Sequence, residues 1–267
     1  MCKNIFDSHA HYDDERFNED RHDVLERLFK SGVCGIVNCG SDLKTSITSI
    51  NLSAKYPLVF AAAGVHPHEA ESMGAKDLEI IRDLLDEEKC VAVGEIGLDY
   101  HYDFSPREVQ LDTFEKQLIM ANELQKPVII HDREAHEDTM RLLKKHRPRG
   151  VVHCFSGSAE MAKEVLKIGM YIGIGGAVTF KNAKKPVAVV SEVPWDRLLI
   201  ETDCPYMTPV PHRGERNDSS FIPFTAQKIA EIRGVTAQEV LDITAKNATS
   251  FLWKREKNAC KIVIMTI

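Results

Sequence analysis

Residues Pro127–Arg133 read PVIIHDR: a short β-branched run that stops at an imidazole. The same form recurs on either side. Val91–Gly97 is VAVGEIG, ending on Glu95, and Val151–Phe155 is VVHCF, ending on His153. Further apolar runs stand at Ile5–Phe6, Gly35–Asn38, Leu58–Gly64, Tyr171–Ile174 and Leu198–Ile200. Between them lie helical patterns at Arg21–Ser31, Lys44–Lys55, Asp77–Glu88, Glu108–Leu124, His136–Lys145, Ala159–Lys167 and Phe224–Arg233. In Glu108–Leu124 the residues Leu111, Phe114, Leu118, Ala121 and Leu124 fall on one stripe. Thr236–Leu252 adds a last helix, opened by a Thr236/Glu239 capping box. Short buried strands alternating with amphipathic helices mean βαβ units and a parallel sheet. Eight units in one chain favour a closed (β/α)8 TIM barrel over an open sheet, a single α/β domain.

The composition agrees. The chain has 267 residues, 43% hydrophobic and 28% charged, with no Pro/Gly/Ser-rich linker to divide it. Residues 1–253 are read as the barrel and 254–267, ending KIVIMTI, as a C-terminal tail of unassigned role. The net charge of −6 excludes a protein that coats nucleic acid or anionic lipid by bulk charge, so a polyanion must be gripped locally. Seven cysteines, with no CxxC pair and mostly in apolar runs, point to a reducing cytoplasm, not to disulfides or a cysteine zinc site. No signal peptide and no membrane span is expected.

In such a barrel every strand's C-terminal end opens onto one face. Five of the eight strands carry a metal-binding side chain there: His9 and His11 after the first, Glu95 after the fourth, His131 after the fifth, His153 after the sixth, Asp203 after the eighth. His9 and His11 are two apart and share a strand face. Any one of these residues alone is more often an ordinary structural group. Six at strand ends in one chain reverse that balance. Four imidazoles and two carboxylates exceed the three protein ligands of a usual catalytic zinc. The surplus points to two divalent ions with Glu95 between them, an arrangement suited to phosphodiester hydrolysis.

Other candidates lie nearby. His66 ends the third strand and is placed to bind or protonate a phosphate oxygen; His68 follows it. Glu201 shares the face of Asp203 one layer deeper and is expected to orient ligands or a water. Arg213 and Arg216, in the long Pro205–Ile222 segment, are candidates for a phosphate clamp. Asp99, Tyr100 and His101 are candidate substrate contacts. His22, His136 and His146 lie in helices and receive no role. Cys154 and Cys204, of opposite parity to their neighbouring ligands, are expected to point out of the barrel. Phosphate-loop, serine-hydrolase and complete dinucleotide fingerprints are missing.

Several stretches together resemble the TatD family of metal-dependent deoxyribonucleases: FDSHAHYDD, GVHPH, VAVGEIGLDYHYDFSPREVQ, FEKQLIMANELQKPVIIHDREAHEDT, VVHCFSG, LLIETDCPYMTPVPHRGERND and KNATSFL. They run in order from about Phe6 to Leu252. The resemblance implies a barrel with one ion on His9, His11, Glu95 and Asp203 and another on Glu95, His131 and His153. It implies Mg2+ or zinc-like ions and exonucleolytic, 3′–5′ hydrolysis of DNA, with Asp203, Glu95, Glu201 and His66 in catalytic roles and His66 also at the substrate. The expected partner is DNA with single-stranded or frayed ends. Other readings are a metal-dependent esterase or amidohydrolase, such as an aminoacyl-tRNA deacylase, and a non-catalytic nucleic-acid binder. Ser219–Ser220 follow RGERND where relatives often carry an acidic residue and a proline.

Overall fold

The computed structural model describes residues 2–253, so the KIVIMTI tail and Cys260 lie outside the described residues. Eight strands are paired in parallel, each with the next in the chain: β1 (Ile5–Ala10), β2 (Val33–Cys39), β3 (Val59–Ala63), β4 (Cys90–Asp99), β5 (Val128–Arg133), β6 (Gly150–Val152), β7 (Tyr171–Ile174) and β8 (Leu198–Ile200). The seam between β1 and β8 closes at the mouth. There the N–H of Asp203 donates to His9 O at 3.1 Å, and that of His11 to Cys204 O at 2.8 Å. The expected TIM barrel is the one observed.

Nine helices are described: α1 (Arg21–Lys30), α2 (Leu43–Lys55), α3 (Asp77–Leu84), α4 (Arg107–Glu123), α5 (His136–His146), α6 (Ala159–Lys167), α7 (Lys184–Glu192), α8 (Ile222–Arg233) and α9 (Ala237–Leu252). The α9 capping box forms as expected. Two helices depart from the sequence reading. α3 ends four residues early, because Asp86, Glu87 and Glu88 would crowd negative charge at a helix C-terminus, where the dipole disfavours it. α7 is not among the expected helices; it opens Lys-Lys-Pro, and a proline in the first turn is tolerated because its missing N–H has no partner there to lose.

The site rests directly on the barrel interior. Phe6, Val37, Ala62, Ile129, Val151 and Leu199 form one buried cluster, sealed from below by Phe251 and Leu252 of α9. Ile129, Val151 and Leu199 each sit two residues before His131, His153 and Glu201, so strand alternation stacks a polar layer upon an apolar one. At two places the pairing slips. The β1–β2 register shifts between Asp7 and Ala10, and the β4–β5 register between Val93 and Ile96. These slips re-aim His9 and Glu95, in the way bulges do beside active sites. β4 also runs on to Asp99, so Glu95 lies within the strand and not at its end. Gly97 makes that extension possible: its φ is +147°, and a Cβ there would meet His131 O at 1.9 Å.

Candidate metal centre

Six side chains from five strands converge above the interior. His9 Nε2 and His11 Nε2 lie 3.0 Å apart, each 3.6 Å from Asp203 Oδ1. Glu95 Oε2 faces both, at 3.3 Å from His9 Nε2 and 3.4 Å from His11 Nε2. Its other oxygen, Oε1, faces the opposite group: His153 Nε2 at 2.7 Å, His131 Nδ1 at 2.9 Å and His66 Nε2 at 3.7 Å. The two oxygens of one buried carboxylate therefore face different nearest nitrogens, although His9 and His153 also share one group through Glu95. The resulting donor groups are His9–His11–Asp203, His9–Glu95–His153 and His66–Glu95–His131.

The remaining ring nitrogens fix what these atoms can do. His11 Nδ1 bonds the carbonyl of Cys39 at 2.9 Å, so Nδ1 carries a proton and Nε2 is the nitrogen turned to the site. His9 Nδ1 faces Cys39 Sγ at 3.4 Å. His131 Nε2 donates to Asp99 Oδ2 at 3.1 Å, leaving Nδ1 to the site. Lone pairs of several nitrogens and three carboxylate oxygens thus face one another in a buried space. Such an array requires positive charge among its members. Imidazole and carboxylate donors suit zinc, manganese and similar divalent ions, and the residues fit such a group.

Electrostatics express the same demand. Burial acts to lower His11 and His153, but Asp203 and Glu95 in one case, and Glu95 and Glu201 in the other, outweigh it and raise both imidazoles well above their usual value. Burial would raise Glu95, yet His153, His9 and His66 hold its carboxyl well below the usual range. His66 is different: burial drives it well below the ordinary imidazole value, so it stays neutral. Its Nδ1 accepts the N–H of His68 at 3.2 Å, which puts its proton on Nε2, facing the site.

Around this cluster lies a supporting layer. Glu201 is fully buried; it accepts the Ser8 hydroxyl at 3.3 Å and the Cys154 N–H, and its Oε1 lies 3.6 Å from His153 Nδ1, a buried nitrogen without a hydrogen-bond partner. Gly173 leaves the space Glu201 fills, since a Cβ there would stand 2.6 Å from Glu201 Oε2. Asp7, on the outer side of β1, accepts the Thr202 and Ser219 hydroxyls at 2.6 and 2.7 Å, and burial pushes its carboxyl up to about 7. Asp99 is fully buried: Oδ2 accepts from His68 Nε2 at 2.9 Å as well as from His131, and Oδ1 takes the N–H groups of His101 and Tyr102. Asp7 was not singled out from the sequence, although its i, i+2 relation to His9 was visible. Asp99 was read there as a substrate contact, and its bonds make it a brace for His131.

Other candidates sit elsewhere. Arg216 pairs with Asp20 through both terminal nitrogens, at 2.9 and 2.6 Å, and lies over the Phe17 ring. Arg213 donates to Thr208 O at 3.0 Å and lies over Phe180. Either must give up these contacts to grip a phosphate. Tyr100 bonds Asp138, and His101 bonds Glu134. Cys204 is buried beside Asp7 and Tyr12, away from the donors, as parity requires. Cys154 departs from parity. β6 ends at Val152, Cys154 turns with φ 42°, and burial with Asp203 and Glu201 nearby raises its thiol well above the usual value.

Comparison with known proteins gives concordant matches. Residues 6–253 match the family model described as TatD related DNase. The chain is 45% identical over 247 residues to the metal-dependent hydrolase YabD of Bacillus subtilis, covering 91% of this chain and 97% of that one. It is 34% identical over 253 residues to the 3′-5′ ssDNA/RNA exonuclease TatD of Erwinia tasmaniensis, covering 91% and 98%. The crystal structure of YJJV, a TatD homolog from Escherichia coli, superposes with a TM-score of 0.88 at 32% identity, covering 95% and 99%.

Proposed function

Because the chain belongs to the TatD related DNase family of metal-dependent hydrolases, we propose that it is a nuclease that trims single-stranded or frayed DNA from the 3′ end with two divalent ions, Mg2+ or zinc-like. The observation that carries this reading is the division of Glu95: one oxygen toward His9 and His11, the other toward His131 and His153. In the proposal Asp203 completes the first set of ligands and Glu95 bridges the two. When bound, the ions supply Lewis acidity and positive charge for a phosphate.

The chain's own residues divide the remaining work. Asp203 is the more open of the two acids among the donors, its side chain 20% exposed against 4% for Glu95. Its carboxyl is ionised: burial would raise it, but His11, His153 and His9 hold it below the usual range. It therefore accepts a hydrogen bond from the attacking water and orients it. His66, neutral with its proton on Nε2, donates to a phosphate oxygen; it lacks the charge to act as an acid. Glu201 fixes His153 and the Cys154 turn from below. In this reading the phosphate meets His66 and the two ions first, and Arg213 and Arg216 join as a clamp on leaving Thr208 and Asp20.

The test is a substrate panel. The full-length chain, with Mg2+, Mn2+ or Zn2+, is given 3′-ended single strands, blunt duplex, RNA and aminoacyl-tRNA. Stepwise loss of 3′ nucleotides from single-stranded DNA, abolished by E95A together with bound metal, is the expected result. Turnover of the aminoacyl ester with DNA left intact would overturn the reading in favour of an esterase, and metal-dependent binding without turnover would show a non-catalytic binder.

A further inference from the structure

The loop between β4 and α4 presents two aromatic rings to solvent. Tyr102 is 47% exposed and Phe104 64% exposed, and their planes lie 18° apart with centroids at 5.2 Å. Exposed aromatic surface of this size gains nothing for the folded chain. The loop bearing it is nevertheless firmly braced. Asp99 Oδ1 accepts the N–H of His101 and of Tyr102. The buried Gln110 amide donates to Asp99 O and Ser105 O while accepting the Asp99 N–H. Ser105 Oγ donates to His68 O and accepts from Glu71 N. The loop that carries the rings is held in place, and Phe104 is the most exposed large hydrophobic side chain among the described residues.

They also adjoin the metal centre. The His68 ring lies 4.8 Å from Phe104 and 5.5 Å from Tyr102, and 6.2 Å from His131, whose Nδ1 faces Glu95. The Arg133 guanidinium stands over the Tyr102 ring at 4.6 Å, adding a cation to the same rim. Tyr206, also exposed, likewise carries an arginine over its ring, Arg16 at 4.1 Å, and is tied to Asp14 through its hydroxyl, whereas no cation stands over Phe104 among the described residues.

We propose that Phe104, backed by Tyr102, is a stacking platform for one base of a single-stranded nucleic acid whose adjoining phosphate lies at the Glu95–His131–His153 group, with Arg133 toward the backbone. This rests on the nuclease reading above. Every base offers a π-face, so the platform tolerates any sequence. Only an unpaired base can leave its stack to reach it, so it selects single strands and frayed ends. It also gives a chain of net charge −6 a grip on DNA that does not depend on bulk charge.

The test uses the metal-loaded full-length chain and single-stranded oligonucleotides with 2-aminopurine at one of the 3′-terminal positions, their linkages protected as phosphorothioates. Quenching at one position is expected, lost in F104A and kept in F104W. On unprotected single strands F104A should raise KM on the order of ten-fold, with kcat far less changed. An abasic residue at the quenched position should erase the difference between the wild type and F104A. Thermal melting checks that F104A is folded, as its exposure implies. Unquenched oligonucleotides that the wild type still degrades, or an F104A defect that persists at full size on the abasic strand, would overturn the platform and leave the nuclease reading intact. Failure of the wild type to degrade any nucleic acid would remove both.

Discussion

Replacing Asp99 with Asn tests how the metal centre is held, because the change removes charge without removing volume. The carboxylate bonds four groups: the N–H of His101 and of Tyr102 on Oδ1, His68 and His131 on Oδ2. Asn keeps an oxygen for the two backbone donors, so the turn survives. Its NH2 then confronts two imidazole N–H groups where an anion stood. Burial would raise the Asp99 carboxyl, but His131, His68 and the Tyr102 N–H hold it far below the usual range, so the native partner is fully ionised. Each charge-assisted bond contributes about 1.5–3 kcal/mol when its partner has no substitute. His68, with 23% side-chain exposure, recovers most of its share from water, leaving about 2 kcal/mol at His131. An orienting carboxylate of this kind is worth about 10- to 100-fold in metal affinity, or roughly 1.4–2.7 kcal/mol, the same size. Titration of Zn2+ or Mn2+ into metal-free protein should show D99N weakened by that factor at the group containing His131. The group containing His9 and His11 should keep wild-type affinity. Equal affinities for wild type and D99N at both groups, or equal losses at both, would refute the bracing role.

Further outcomes follow from single contacts. E95Q should abolish turnover and cut the bound metal measured by plasma emission, with circular dichroism unchanged, because an amide cannot bridge two cations. G173A should lower kcat about 10- to 100-fold with metal retained, since the new Cβ pushes Glu201 from beneath His153; an unchanged kcat would remove Glu201 from catalysis. His136 is raised by its hydrogen bond to Asp132 at 2.8 Å, so its contribution is full below the unfolded value of 6.5 and fades as pH rises through the raised folded value. The melting deficit of H136A should accordingly be larger near pH 5 than near pH 9; the pH-dependent part is worth at most about 1 kcal/mol, since the His136 side chain is 36% exposed although Asp132 is buried. Binding to long duplex DNA should be weak with a shallow salt slope, and a steep one would contradict the local grip.

The barrel was legible because its signal is redundant. Eight apolar runs each bury both faces, and the helices between them carry a 3.6-residue stripe, so no single misreading could change the fold class. α7 escaped notice for a local reason: Pro186 sits in its first turn, where a proline is tolerated, yet in sequence it looks like a stop. The end of α3 and the length of β4 were misjudged because pairing, not propensity, decides them. β4 continues past Glu95 because β5 is there to pair Gly97 with His131 and Asp99 with Arg133.

The donors were legible for a different reason, since every strand's C-terminal end reaches one mouth and residue type at those ends suffices to list them. What the list does not contain is direction. His9 and Glu95 reach the mouth only through slips in register, and no residue type announces a slip. Nor does type announce a tautomer. His66 and His131 are both imidazoles beside Glu95, but their outer bonds run opposite ways: His66 Nδ1 accepts a backbone N–H and turns a donor inward, whereas His131 Nε2 donates to Asp99 and turns a lone pair inward. One is thereby equipped to meet phosphate and the other to hold metal. The difference lies in Asp99 and the His68 backbone, residues that touch neither. The same loop that carries Asp99 carries Tyr102 and Phe104, so the brace that sets the tautomer of His131 also sets the distance from the metal centre to the exposed rings. Loosening that loop should weaken metal affinity and single-strand preference together; D99N, which keeps the turn, should weaken only the first and F104A only the second, and loss of both in either variant would refute this division.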